Sequence, residues 1–301
     1  MCTYNGAAWL PDQLESFLAQ TRDDWTLWVS DDGSTDDTAG ILDRFDRDNP
    51  GRLERRLTGP GRGSAANYLQ MLAHPDLAGS YVALSDQDDV WRPEKLARAM
   101  AVLTGVPEAD DGRPRAYAAA YYITDRHLLG QRPSAPWLQG PSLGNALVQN
   151  IMSGHTTVLN PAALDLVRRA GAPEIDHHDW WIYLLMAGTG ADIHIDPEPM
   201  VLYRQHADSV FGARQGKRAL ARRLRNMSGG TYAGWIKANV AALETVDAML
   251  TPEARRTLAA WRTIPRHRGP RRMAAFRALG IHRQSHAETM VLNLASRLGW
   301  A

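Results

Sequence analysis

A single cysteine, Cys2, stands in 301 residues, so an internal disulfide and a cluster of thiolate ligands are both excluded. Long apolar runs are missing too. The nearest approach, WWIYLLMAG at 180–188, is far short of the roughly 18 residues that a membrane-spanning helix needs. No basic-then-apolar leader opens the chain, which leads to the expectation of a cytoplasmic protein, free or peripheral on the inner face of the cell membrane. No internal repeat or low-complexity linker divides the sequence. Neither H-E-x-x-H nor G-x-S-x-G occurs, which disfavours metalloprotease and α/β-hydrolase chemistry. What is present is 44% apolar residues, enough for a real core and against disorder.

Net charge is also lacking, at +1, but the total conceals a division: residues 1–211 carry 17 basic against 29 acidic residues, whereas 212–301 carry 17 against 4. Such a basic tail calls for an anionic neighbour, either the body's own acidic surface, a phosphate-bearing membrane or nucleic acid. Its arginines, as in RRLR at 222–225 and RHRGPRR at 266–272, are interleaved with Trp235, Trp261, Phe276 and Trp300. That pattern suits an anionic lipid interface. A helical appendage with a solvated basic face is the plainer alternative. Nucleic acid is not expected, because no familiar reader module accompanies the charge.

The first hundred residues alternate short apolar runs with helix-like stretches, the pattern of a parallel sheet built through crossover helices. MCTY is read as a strand stub, and Leu10, Leu14, Phe17 and Leu18 as one helix face. WTLWVS at 25–30 is the second strand, LERRL at 53–57 a poorer third, and YVALS at 81–85 the best buried strand of the set. Ser34 and Asp37 fit a capping box ahead of Ile41, Leu42 and Phe45. AYAAAYYIT and IMSGHTTVLN read as further strands, PAALDLVRRAG and HHDWWIYLLMAG as helices, and DIHIDPEPMVLYRQH as two extended pieces around its prolines. Beyond 217 the pattern is mostly helical.

Two strands end in acid: VSDDGS places Asp31 and Asp32 after the second, and LSDQDD places Asp86, Asp88 and Asp89 after the fourth. Ligands of open parallel sheets collect at such strand ends. Crowded carboxylates repel one another unless a divalent ion or donor cluster neutralises them, and Mg²⁺ or Mn²⁺ commonly shares a carboxylate with substrate phosphates. The plainer account is a capping aspartate in a solvated loop. Gly61 and Gly63 lack a dinucleotide fingerprint and read as a turn. Asp179 in HHDWW is either an N-cap or a carboxylate placed to take a proton from a hydroxyl. Arg204 and His206 in YRQH are capable of holding phosphate and metal respectively.

CTYNGAAWL, SDDGSTDDT, SDQDDVWRPEKL, SGHTTVLN, HDWW and YRQH, in this order, resemble the family 2 glycosyltransferases of GT-A fold, especially their rhamnosyltransferase-like branch in bacterial cell-surface polysaccharide synthesis. The resemblance implies an α/β, Rossmann-like, mostly parallel sheet flanked by helices over 1–211, followed by a basic helical extension at 212–301. Residues 1–104 would bind nucleotide and 105–211 the acceptor side. It implies an inverting transfer of one sugar per encounter, since the Q-x-x-R-W motif of processive members is absent. The donor would be a dTDP- or UDP-sugar with Mg²⁺ or Mn²⁺, and the acceptor a glycan or a polyprenyl-diphosphate-linked glycan. By motif, Thr3, Tyr4, Asp31, Asp32, Gly63, Asn67 and Asp86 would contact or flank the nucleotide sugar. Asp88 and His206 would hold the metal, Asp179 would be the base, and Arg204 would steady the departing diphosphate. A sugar-nucleotide nucleotidyltransferase and a non-catalytic nucleotide- or carbohydrate-binding scaffold are the alternatives.

Overall fold

β1 (Cys2–Thr3), β2 (Leu27–Asp31) and β3 (Leu53–Thr58) lie side by side in that order, all parallel. In this computed structural model, residues 1–105, 111–206, 230–264 and 269–298 are described. Helices α1 (Leu10–Leu18) and α2 (Thr38–Asp48) make the crossovers, and α3 (Ser64–Leu72) follows β3. The apolar periodicity is used as the 3.6-residue repeat dictates. Leu10, Leu14 and Phe17 of α1 are buried with Val29, Leu42 and Phe45, while Leu18 stays 45% exposed.

α2 begins later than its expected capping box. The Asp36 carboxylate, rather than Ser34, accepts the Thr38 backbone N–H at 3.0 Å and its hydroxyl at 2.6 Å. Ser34 has turned toward Asp31 instead.

The YVALS segment also departs from expectation. Only β4 (Val82–Ala83) is ordered as strand, half-buried, and it pairs antiparallel with β8 (Val158–Leu159) in a second sheet rather than extending the parallel one. Leu84 N–H still reaches the Thr157 carbonyl at 2.9 Å, but the Ser85 carbonyl already accepts the Tyr68 hydroxyl. The backbone leaves the ladder there to deliver the acidic loop.

That second sheet has the order β4, β8, β6 (Arg115–Thr124), β9 (Asp192–Arg204), β5 (Val90–Trp91), with β7 (Arg132–Pro133) beside β6. β6 and β9 are parallel; the other pairings are antiparallel. The expected two pieces at 192–204 form a single strand. Pro197 and Pro199 fit because the register with β6 shifts between Ala119 and Tyr121, where a missing N–H is tolerated. IMSGHTTVLN is mostly a 3₁₀ turn (Gly154–Thr156), with only Val158 and Leu159 as strand before Asn160 caps α6 (Pro161–Ala170). Short helix α5 (Leu143–Ala146) and helices α4 (Lys95–Thr104) and α7 (His178–Thr189) complete the body.

α7 is apolar on every side, as suits a helix enclosed by others. Trp181, Ile182, Tyr183, Leu184, Leu185 and Met186 are all 0% exposed. Part of that enclosure comes from the basic segment: α8 (Thr231–Thr245), α9 (Pro252–Trp261), α10 (Pro270–Ala278) and α11 (His286–Leu298). Ile236, Leu243, Leu250, Leu258, Phe276 and Leu292 belong to the same core cluster as α7.

A shared core predicts shared unfolding. Leu243→Ala, at a position 0% exposed, is expected to destabilise body and extension together by about 2–5 kcal/mol. Urea unfolding followed by tryptophan fluorescence and by circular dichroism should show one coincident, shifted transition; an early transition confined to the helical segment would contradict it.

Candidate active site

The β2 end is a satisfied acidic site. Asp31 accepts the Thr3 hydroxyl at 2.7 Å, the Ser34 hydroxyl at 2.6 Å and the backbone N–H groups of Ser34 and Gly33 at 2.8 and 3.2 Å. Burial works against its ionisation, but the Ser34 and Thr3 hydrogen bonds outweigh burial and hold the carboxyl below the usual carboxylate range. Asp32 turns the other way and accepts Gly61 N–H and Gly63 N–H, each at 2.7 Å. Gly61 (φ +66°) and Gly63 (φ +86°) adopt the left-handed backbone that allows both donors to face one carboxylate. Asn67, 1% exposed, then ties α3 to β2, donating to the Ser30 carbonyl at 2.9 Å and accepting the Ser30 hydroxyl at 2.5 Å.

The loop after β4 carries the other acids. Asp86 keeps 40% of its side chain exposed, Asp88 20%, Asp89 none. Withdrawal from bulk water and the Asp88 charge raise Asp86 to about 7, while the Tyr68 hydroxyl, 2.9 Å away, pulls it down. Asp88 lies 2.8 Å from His206 Nε2, and the His206 ring stacks on Trp9 with centroids 5.0 Å apart. Asp89 is raised well above its ordinary range by burial and its acidic neighbours, and the buried Lys95 opposes that rise.

The donor set suits a hard divalent cation: carboxylate oxygens with one imidazole. Asp86, Asp89 and His155 place ligand atoms within 4.8 Å of one another. Asp89, however, is fully buried, and burial disfavours its charged form. The carboxylates open to an arriving ion are Asp86 and Asp88, with His206 beside the latter.

Arg204, expected beside a departing diphosphate, is 3% exposed. Its guanidinium donates to the Asp88 carbonyl at 2.9 Å, the Arg126 carbonyl at 2.8 Å and the Asp12 carboxylate at 2.5 Å, and it lies 4.9 Å from the Trp9 ring. These partners make it a brace of the acidic loop.

Asp179 sits in the first turn of α7, where free backbone N–H groups favour an anion. Its oxygens accept Gly154 N–H at 3.0 Å and Trp180 N–H at 2.8 Å. A Cβ on Gly154 would lie 2.7 Å from His178 Nε2, so this close approach needs glycine. His178 stacks on Tyr68 at 3.9 Å, and burial lowers it to about 4, leaving a neutral ring. Through Tyr68 on one side and Gly154–His155 on the other, Asp179 is tied to the surroundings of Asp86, whose carboxyl senses its charge.

Sequence reasoning passed over four residues that assemble this site. His155, 6% exposed, lies 3.9 Å from Asp86 and is lowered to about 3 by burial, so it too is neutral. Tyr68, 1% exposed, donates its hydroxyl to Asp86 at 2.9 Å. Lys95 lies 3.3 Å from the Trp91 ring centroid, and burial pushes it well below the usual lysine range. Gln87 is the most consequential: its amide accepts Tyr4 N–H and donates to the Tyr4 carbonyl, both at 2.9 Å, joining the first loop to the acidic one. Its place between Asp86 and Asp88 was the available signal.

Residues 1–142 match the profile of Glycosyl transferase family 2. The dTDP-rhamnosyl transferase RfbG of Shigella flexneri is 28% identical over 239 residues, covering 74% of this chain and 78% of that protein. Among solved structures, S. aureus TarS 1–349 in complex with UDP-GlcNAc aligns at TM-score 0.55 and 16% identity, over 99% of this chain and 90% of that one. The mannosyltransferase PcManGT from Pyrobaculum calidifontis, in complex with GDP-Man and Mn²⁺, aligns at TM-score 0.51 and 18% identity, over 99% and 85%. At these identities the structures speak to fold, and the fold is GT-A.

Gln87→Leu should unlatch the first loop, raising amide exchange of the Tyr4–Ala7 segment about tenfold while the global unfolding free energy moves by less than about 1 kcal/mol. A Cβ at Gly6 would strike the Gln87 carboxamide, so Gly6→Ala should give the same local exchange, and the double variant no more than either single one. Additive effects on exchange would disprove the latch.

Proposed function

With residues 1–142 a glycosyl transferase family 2 domain, we propose that this glycosyltransferase moves one sugar from a dTDP- or UDP-sugar to a glycan or polyprenyl-diphosphate-linked acceptor, with inversion, on the inner face of the cell membrane. Rhamnose is the first donor sugar to consider, because the relative that spans most of the chain is named a dTDP-rhamnosyl transferase. The observation that carries the proposal is the linkage of acids from separate segments by short contacts. Thr3, bonded to Asp31, precedes Tyr4, which Gln87 clamps between Asp86 and Asp88. Asp179 joins them through Gly154 and His155.

In this mechanism Asp31 and Thr3 meet the nucleotide base, and Tyr4, 59% exposed, flanks it. Asp32 holds the Gly61–Gly63 turn and Asn67 the start of α3, so that their backbone faces the nucleotide. Asp86 reaches ribose or sugar. Asp88 and His206 would hold Mg²⁺ or Mn²⁺, which when bound supplies positive charge against the diphosphate. Asp179 takes the proton of the acceptor hydroxyl, and the freed oxygen attacks the anomeric carbon from the face opposite the leaving group. Arg204 acts at one remove by fixing the Asp88 carbonyl and the β9 end.

Asp179→Asn is expected to lower kcat by about 10²–10⁴-fold while donor affinity stays within about threefold; a variant turning over at the wild-type rate would remove Asp179 from the role of base. Asp88→Ala should abolish the gain in donor affinity on adding Mg²⁺ or Mn²⁺. Calorimetric titration with dTDP- and UDP-sugars, with and without the ions, measures this, and an unchanged ion-dependent affinity would relocate the metal.

A further inference from the structure

α11 carries apolar residues on its outer face as well as its inner one. Its inward face contains Asn293 at 7% and Ser296 at 0% exposure beside Leu292 and Ala295, whereas Met290, Val291 and Leu294 face outward at 72%, 47% and 57%. A helix on an aqueous surface keeps its outer face polar. Single exposed apolar residues are ordinary, but these three fall within little more than one turn. Leu138, 63% exposed, comes from the loop whose Leu138 and Gln139 N–H groups are both held by the Gln284 side chain, two residues before α11.

The surroundings are cationic. Arg271 and Arg277 stand exposed on α10, which packs against α11, and His286 is exposed at the α11 start. Glu288 is the single acid in 269–298 and lies 3.7 Å from Arg283. We propose that the outer face of α11 is a membrane-contacting surface that takes anionic phospholipid. Met290, Val291 and Leu294 enter the boundary between headgroups and acyl chains, and Arg271 and Arg277 meet the phosphates. A second copy of this face would bring like charges together. A nucleic acid would satisfy the arginines and leave the apolar stripe in water. A bilayer rich in anionic lipid answers both at once.

This surface deepens the transfer proposal by placing the enzyme where a lipid-linked acceptor lies, yet its test requires neither donor nor acceptor, so either can fail alone. Flotation of the full chain with vesicles of phosphatidylcholine plus phosphatidylglycerol should show binding about tenfold or more tighter than to phosphatidylcholine alone. Val291→Glu with Leu294→Glu should weaken binding to the mixed vesicles about tenfold or more, and Arg271→Glu with Arg277→Glu should erase the preference for the anionic lipid. Circular dichroism melting checks the fold of each variant, and Met290→Glu alone, at the most exposed position, serves if the double variant does not fold. Wild-type protein that stays with the unbound fraction, or a folded stripe variant that floats like wild type, overturns the proposal. So does a wild-type dimer in sedimentation equilibrium that the stripe variant dissociates without any lipid binding.

Discussion

Three carboxylates within four residues are a standing electrostatic problem, and much of the architecture answers it. Each acid is treated differently. Asp89 is withdrawn from water entirely, where its charged form is disfavoured, and accepts the Arg204 backbone N–H at 3.2 Å. Asp88 is paired with His206. Asp86 receives the Tyr68 hydroxyl and remains partly open to solvent. Repulsion that would disperse a free peptide loop is thereby contained, and Asp86 and Asp88 are left as the acids that a divalent cation or a donor group can reach.

Holding that loop requires distant segments to arrive in register. Arg204 at the end of β9 reaches the Asp88 carbonyl, Asp12 on α1 and the Arg126 carbonyl after β6, and so gathers four segments around one guanidinium. Gln87 does the corresponding task on the other side, replacing a missing strand pairing with a side-chain amide. The ordered part of β4 is only two residues long because the backbone beyond it serves these contacts rather than the ladder. The helical segment after residue 230 contributes from behind. By enclosing α7 it fixes the helix whose first turn presents Asp179.

Much of the order up to about residue 104 was legible because alternating apolar runs have few other uses, and α1, β2 and β3 fall close to where the pattern puts them. The YVALS segment misled because burial alone does not say which neighbour a strand will find. The prolines at 197 and 199 suggested two pieces, since a sequence does not show a bulge in the partner strand that spares their missing N–H groups. Of the candidate site, the acids stood out because charge at a strand end has few explanations, whereas His206 was singled out by the family resemblance of YRQH. His155, Tyr68 and Gln87 could not be weighed in the same way, since each is an ordinary residue until its partner is known.

Local chemistry thus determined the inventory: acids after β2 and β4, a carboxylate at a helix start, and a basic half set against an acidic one. Tertiary structure decided the assignments. It turned Arg204 inward as a brace, buried Asp89 completely, made Gln87 a latch and set the apolar stripe of α11 outward. The division has a physical cause. Residue type and spacing set what a segment can bond and bury within a few residues of itself, whereas pairings across 83 or 116 positions depend on where the whole chain brings its strand ends.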